Sequence, residues 1–194
     1  MRVKNAFTRE RDIMWLLSSL LVSRGTQPHN DELSRQMMDF KDEDNRNHQR
    51  AINRFSELAI DKVGRLVIRG GGGRFVESPF SIAIVPSHTS GRISPALIEV
   101  AERVVRTYRR GNVDCCLERT RTVPSAHREG GDRSISGHMS TIRVKGGNLR
   151  GRNVLLLDDV KTTGEPVCLF YLLESAGAGV TIPLSLLETA TYEE

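Results

Sequence analysis

The sequence predicts an α/β fold, a mainly parallel sheet flanked by helices with a helical and hairpin region at the amino terminus, and three observations lead there. Val154 to Leu157 is a short unbroken aliphatic run, the pattern of a parallel strand buried on both faces. A Thr-Thr-Gly turn follows, and Glu165-Pro166 opens a helix to about Ala176, since proline suits a first turn where a missing N–H costs little. A second unit of the same kind runs from a strand at Ser81 to Val85 into a helix that starts at Ser94-Pro95.

In chain order, Ile13, Leu16, Leu17, Leu20 and Leu21 recur at helical spacing and predict a first helix over about Thr8 to Arg24. The segment IMWLLSSLLV inside it is too short to span a bilayer, follows the mixed charges of RERD and precedes no small-residue cleavage site, so no membrane segment is expected. A second helix begins near Asn30 and buries Leu33, Met37 and Phe40. A third, about Asn45 to Ile60, gathers Ala51, Ile52, Phe55, Leu58 and Ala59 on one face, with Arg46, Arg50 and Arg54 opposite. The stretch GRLVIRGGGGRFVES alternates around four glycines like a β-hairpin; because those glycines open no helix, they are not a nucleotide loop. Three helices and a hairpin is also the order of a winged helix, and the arginine face with Asn47, Gln49 and Asn53 suits a nucleic-acid groove. A solvated surface, or a hood over a ligand site, gives the same pattern.

Residues 79–194 carry the predicted sheet, and residues 1–78 form the region before it. Strand Ser81 to Val85 leads into the turn Pro86-Ser87-His88-Thr89-Ser90-Gly91, and the next helix lines up Leu97, Val100, Ala101, Val104 and Val105. A strand at Val113 to Glu118 feeds a stretch from about Arg119 to Ser140 without apolar periodicity, whose length is unusual inside a compact domain and leaves two readings, a functional lid or a solvated loop. Val180 to Glu188 is the last strand.

A chain of 194 residues holds one such domain with an appendage and buries about 70% of its unfolded surface. The formal charge is +4, and residues 119–152 hold eight Arg or Lys against Glu129 and Asp132. Cys115 and Cys116 are adjacent and cannot easily bridge, and with Cys168 they form no metal-ligand spacing. Reduced thiols of a cytoplasmic protein, with no cysteine metal site, are expected.

The chemistry concentrates in VLLLDDVKTTGEP, residues 154–166. Open α/β sheets bind ligands beyond the carboxyl ends of their strands. Asp158 and Asp159 therefore stand at the mouth of a crevice, placed to accept hydrogen bonds from vicinal hydroxyls or to reach a hydrated Mg2+ ion. Val160, Lys161, Thr162, Thr163 and Gly164 bring backbone N–H groups and two hydroxyls around a phosphate, at the positive end of the following helix. A carboxylate pair beside an anion cradle is the chemistry of a phosphorylated-sugar site.

This string resembles the phosphoribosyl pyrophosphate (PRPP) signature of type I phosphoribosyltransferases. IAIVPSHTSGR, LERTRTVPSAHR, LRGRNVLLLDDVKTTG and AGAGVTIPLSLLE stand in that family's order over about residues 80 to 190, most similar to its ComF group. The resemblance implies a type I phosphoribosyltransferase-like fold and a glycosyltransferase activity of nucleotide metabolism. PRPP, with Mg2+, would pass its phosphoribosyl group to a nitrogenous base or amine and release pyrophosphate. It implies that Asp158 and Asp159 hold the ribose hydroxyls or Mg2+, and that Val160 to Gly164 anchor the 5′-phosphate. Ser87, His88 and Thr89 would belong to a pyrophosphate loop, with Arg119, Arg121, Arg128 and Arg133 as unranked candidates for clamping the leaving group. Dimers are usual among such proteins, which leaves a homodimer open; neither the oligomeric state nor the acceptor is legible in the sequence.

Glu165 and Pro166 stand where the family has a small residue and then Ser or Thr, Lys161 stands where an apolar residue is more usual, and the zinc cysteines common in ComF-type proteins are absent. These departures leave two other readings: a PRPP-sensing regulator that binds nucleic acid through its amino-terminal region, and a non-catalytic ComF-like accessory protein.

Overall fold

A computed structural model describes residues 18–23, 32–68, 73–123, 140–147, 149–161 and 165–189, with the backbone alone at 18–23, 161, 165–168 and 189. In chain order the elements are β1 (Ser18–Ser23), α1 (Glu32–Lys41), α2 (His48–Arg65), a 3-10 turn (Phe75–Glu77), β2 (Phe80–Ile84), α3 (Pro95–Thr107), β3 (Gly111–Val113), β4 (Leu117–Arg119), β5 (Ile142–Val144), β6 (Asn153–Lys161), α4 (Glu165–Ser175) and β7 (Thr181–Thr189).

Five strands form one sheet in the order β1-β7-β6-β2-β3, every pair parallel, so all five carboxyl ends lie on one edge. The chain leaves β2 through α3 toward β3 on one side, and leaves β6 through α4 toward β7 on the other. The boundary between β2 and β6 is therefore the topological switch point, where open α/β sheets form their ligand crevice. The predicted fold class, an α/β protein with a mainly parallel sheet flanked by helices, is the one observed.

Strand alternation sends side chains to two separate cores. Phe80, Ile82 and Ile84 of β2, Leu155 and Leu157 of β6, and Ile182 and Leu184 of β7 pack beneath α1, α2 and α3. Ala83, Val154 and Leu156 face the other way, toward Leu169 and Leu173 of α4 and toward Leu117 and Ile142 of the β4–β5 ribbon. Helix α3 starts as its sequence specifies: the Ser94 hydroxyl accepts the Leu97 N–H at 3.4 Å and Pro95 occupies the first turn. At the amino edge of the sheet, Arg152, the residue before β6, ties to β2 and β3 by donating to Ser81 Oγ, Phe80 O and Asn112 Oδ1.

The amino-terminal region departs from expectation. Residues 18–23, predicted as the end of a first helix, form β1, paired with β7 from Ser18 opposite Leu184 to Ser23 opposite Thr189; the remainder of that helix lies outside the described residues. A short run of Ser, Leu and Val is compatible with either state, and an open strand edge decides it by supplying hydrogen-bond partners that local periodicity does not encode.

The second and third helices form as α1 and α2, the latter running five residues past its expected end at Ile60 to Arg65. Of the expected hairpin, residues 69–72 lie outside the described residues; among the described ones Val67 forms an antiparallel bridge with Arg74 before Phe75 turns into the core. Met37, Phe40, Phe55 and Val63 share one hydrophobic cluster with the sheet, so residue 78 marks no break between cores. The expected strand Val113 to Glu118 divides: β3 ends at Val113, and β4 leaves the sheet to pair antiparallel with β5.

Candidate functional site

The switch point brings together the turn after β2 and the end of β6. Val85 N–H donates to Leu157 O at 2.9 Å, which sets Pro86 beside Asp158. Strand β6 is longer than predicted, with Asp158 opposite Ser185, Val160 opposite Leu187 and Lys161 opposite Glu188. The two carboxylates therefore lie within the strand and not past its end. Successive side chains in a strand point to opposite faces, and the two acids have separate partners. Asp159 reaches toward α1, where Lys41 Nζ lies 3.0 Å from its Oδ2. Asp158 folds back on its own chain, Oδ1 accepting the Asp159 N–H at 2.8 Å. The Val160 side chain packs on the core beneath the helices. Thr162, Thr163 and Gly164 lie outside the described residues, as do Arg128 and Arg133; α4 begins at Glu165, directly after those three residues.

The turn 86–91 is bound tightly to the β4–β5 ribbon. Ser87 N–H donates to Arg92 O and Gly91 N–H to Arg119 O. Thr89 N–H donates to Ser87 Oγ, and Ser90 N–H to Thr122 Oγ1. Ser90 Oγ also donates to Arg119 O, and in the other direction Val123 N–H donates to His88 O. Gly91 has φ +70, the left-handed conformation that closes the turn at least cost in glycine. Among the described residues the His88 amide is the one N–H of 87–91 without a partner. The His88 side chain is exposed, while Ser87 and Thr89 are half-buried.

Arg119 has a different place from the one expected of a pyrophosphate clamp. It is 2% exposed, its Nε donates to Ser87 O at 2.6 Å and its Nη1 to Thr141 Oγ1 at 2.8 Å. A guanidinium so enclosed supports the turn from behind. Arg121 is exposed and donates to Ser140 Oγ at 3.3 Å, bridging the two ends of segment 122–139. Between this turn and the ribbon lies a pocket of about 140 Å³ lined in part by Arg92, Glu118 and Lys145.

Two contacts that the sequence did not signal complete the site. Lys41 closes α1, where a basic residue in a last turn is ordinary dipole compensation and carries no hint of a distant partner. Two residues later, Glu43 Oε1 accepts from Arg92 Nη2 at 3.4 Å. Both thiols near the pocket are raised: burial first, then the Asp114 carboxylate, pushes Cys116 up to about 12 and moves Cys115 in the same direction. Hydrogen bonding from Arg143, ahead of the charges of Arg143 and Lys145, holds Glu118 below the usual carboxylate range.

Among the described residues no group of three or more His, Cys, Asp or Glu is placed to hold a metal, and no helix is long and apolar enough to cross a membrane. No family model matches the chain, and no curated protein matches it. Among solved structures it is similar to a hypoxanthine phosphoribosyltransferase from Staphylococcus aureus, at 12% identity and a TM-score of 0.41, over 74% of this chain and 68% of that one.

Proposed function

We propose that the chain binds PRPP at the β2–β6 switch point and transfers its phosphoribosyl group to a nitrogenous base or amine, releasing pyrophosphate. The observation that carries this reading is the adjacency of Asp158 and Asp159 on β6 to the turn 86–91 after β2, on the edge where α4 begins. The carboxylates would accept the ribose hydroxyls, the start of α4 and the residues Val160 to Gly164 before it would take the 5′-phosphate, and the turn after β2 would face the diphosphate. Departure of pyrophosphate leaves oxocarbenium character on the ribose, and the residues act by positioning and by charge.

Mg2+ fits this reading as an ion that arrives on the ligand's diphosphate, keeping most of its waters, since the described side chains offer two carboxylates and no cage. When bound it would neutralise charge on the diphosphate.

One observation favours a second reading, in which the ligand binds without turnover. The amides of Ser87, Thr89, Ser90 and Gly91 are engaged within the protein, so diphosphate meets few open donors there. Such a protein is a PRPP sensor or a ComF-like accessory protein. Calorimetric titration with PRPP and Mg2+, on wild type and on Asp158→Asn/Asp159→Asn, tests binding, and pyrophosphate release across a panel of nucleobases and amines tests transfer. Binding lost in the double variant, with release in the wild type, supports the enzyme. Binding without release supports the sensor, and absence of PRPP binding removes both.

A further inference from the structure

Lys41 and Glu43 stand two residues apart and make ion pairs of opposite sense on the two halves of the site. Lys41 places an ammonium on Asp159, the carboxylate assigned to ribose hydroxyls. Glu43 places a carboxylate on Arg92, whose backbone carbonyl closes the turn 86–91. The connector that presents them is braced: Asp42 N–H donates to Met38 O, Asn45 N–H to Asp42 O, Asn47 N–H to Asn45 Oδ1, and His48 Nδ1 lies 3.1 Å from Asp39 O. The two charges are therefore delivered together by one shaped turn. Both pairs remain partly open to water, with Lys41 and Asp159 side chains 46% and 27% exposed and those of Arg92 and Glu43 65% and 49%. Pairs of that exposure are weak and exchange readily with a ligand.

We propose that Lys41 and Glu43 form a charged clasp that occupies the candidate site in imitation of its ligand, and that a phosphorylated sugar must displace it. This rests on the PRPP reading of the site and adds its regulation. The cation on Asp159 stands where hydroxyl donors would come, and the carboxylate on Arg92 stands where a phosphate oxygen would come. Arg92 thereby joins the site as an anion-binding residue.

The test is calorimetric titration of the full chain with two probes, inorganic pyrophosphate and ribose 5-phosphate. Wild type is compared with Glu43→Gln, Lys41→Met and Asp44→Asn, the last removing a nearby exposed carboxylate that makes no ion pair with the site. Glu43→Gln should tighten pyrophosphate about two- to fivefold, the range that loss of one exposed competing pair allows. Lys41→Met should tighten ribose 5-phosphate by a similar factor, and Asp44→Asn should change neither. Unchanged or weaker binding in both clasp variants, with wild-type binding intact, overturns the clasp and leaves the PRPP reading standing. A gain in Asp44→Asn equal to that in Glu43→Gln assigns the effect to general charge and also overturns it. If no protein binds either probe, the clasp and the PRPP reading fall together. Both residues are on the surface, so each arm stands if the other variant folds poorly.

Discussion

Arg119 Nε lies 2.6 Å from Ser87 O, so a guanidinium buried at the root of the β4–β5 ribbon holds the turn that faces the switch point. Its second bond, to Thr141 Oγ1, ties the start of β5 to the same group. Arg119→Met leaves these acceptors without their charged donor and should cost about 1.5–3 kcal/mol of stability, measured by urea unfolding. Under the proposed function it should weaken pyrophosphate more than ribose 5-phosphate, since it distorts one half of the site. Equal losses for the two probes would count against that assignment.

Gly111 begins β3 directly against the ring of Phe80, which is fully buried and tilted on Phe75 with ring centroids 5.0 Å apart. A Cβ at this position meets three carbons of the Phe80 ring. Gly111→Ala should therefore destabilise the protein by about 1–3 kcal/mol through overpacking. A thermal melt matching the wild type would show that the ring can move aside.

Glu99 of α3 accepts from Gln49 Nε2 of α2 at 3.1 Å, joining the two helices, and from Arg103 Nη2 of its own helix at 2.6 Å. Burial alone would raise its pKa, but the hydrogen bonds from Gln49 and Arg103, with the nearby arginine charges, together hold it below its ordinary value of 4.5. A carboxylate depressed in the folded state stabilises the protein above its unfolded pKa, and that contribution is lost as pH falls through the folded one. Stability should thus decline as pH drops below about 4.5, more steeply in wild type than in Glu99→Gln, as read by urea midpoints across an acid series. Parallel curves for the two proteins would exclude this linkage.

Cys115 is exposed and Cys116 buried, and both thiols are shifted upward by burial and then by Asp114. Because the thiolate is the reactive species, iodoacetamide at neutral pH should label Cys115 slowly and Cys116 only on unfolding. Peptide mass mapping that finds Cys116 modified as fast as Cys115 would contradict its packing.

Asp159 carries a prediction of its own. With Lys41 as partner, Asp159→Asn removes an exposed pair worth about 0.2–1 kcal/mol, so the variant should fold normally. Under the proposed function it should nevertheless lose most of its PRPP affinity by calorimetry. Undiminished affinity would place the ribose elsewhere.

The strands β2, β6 and β7 and the helices α2, α3 and α4 were legible because each carries its own local signal: an unbroken apolar run, a 3.6-residue stripe, a Ser-Pro start. The candidate carboxylates were legible for the same reason, as polar residues at the end of a buried run. The length of β6 was not, since pairing of Val160 and Lys161 with Leu187 and Glu188 is a property of the neighbouring strand. Nor was the role of Arg119, which reads in sequence as one arginine among several and gains its meaning from Ser87 and Thr141.

By itself, then, the sequence determined the α/β class, the order of most of its elements and the place of the acid pair on the strand before α4, because periodicity and capping act within a few residues. Tertiary structure alone decided that residues 18–23 become a strand, that Asp159 meets Lys41 and that Arg92 meets Glu43. Those outcomes depend on partners distant in the chain, whose open hydrogen-bond edges and opposite charges come within reach once the sheet has formed.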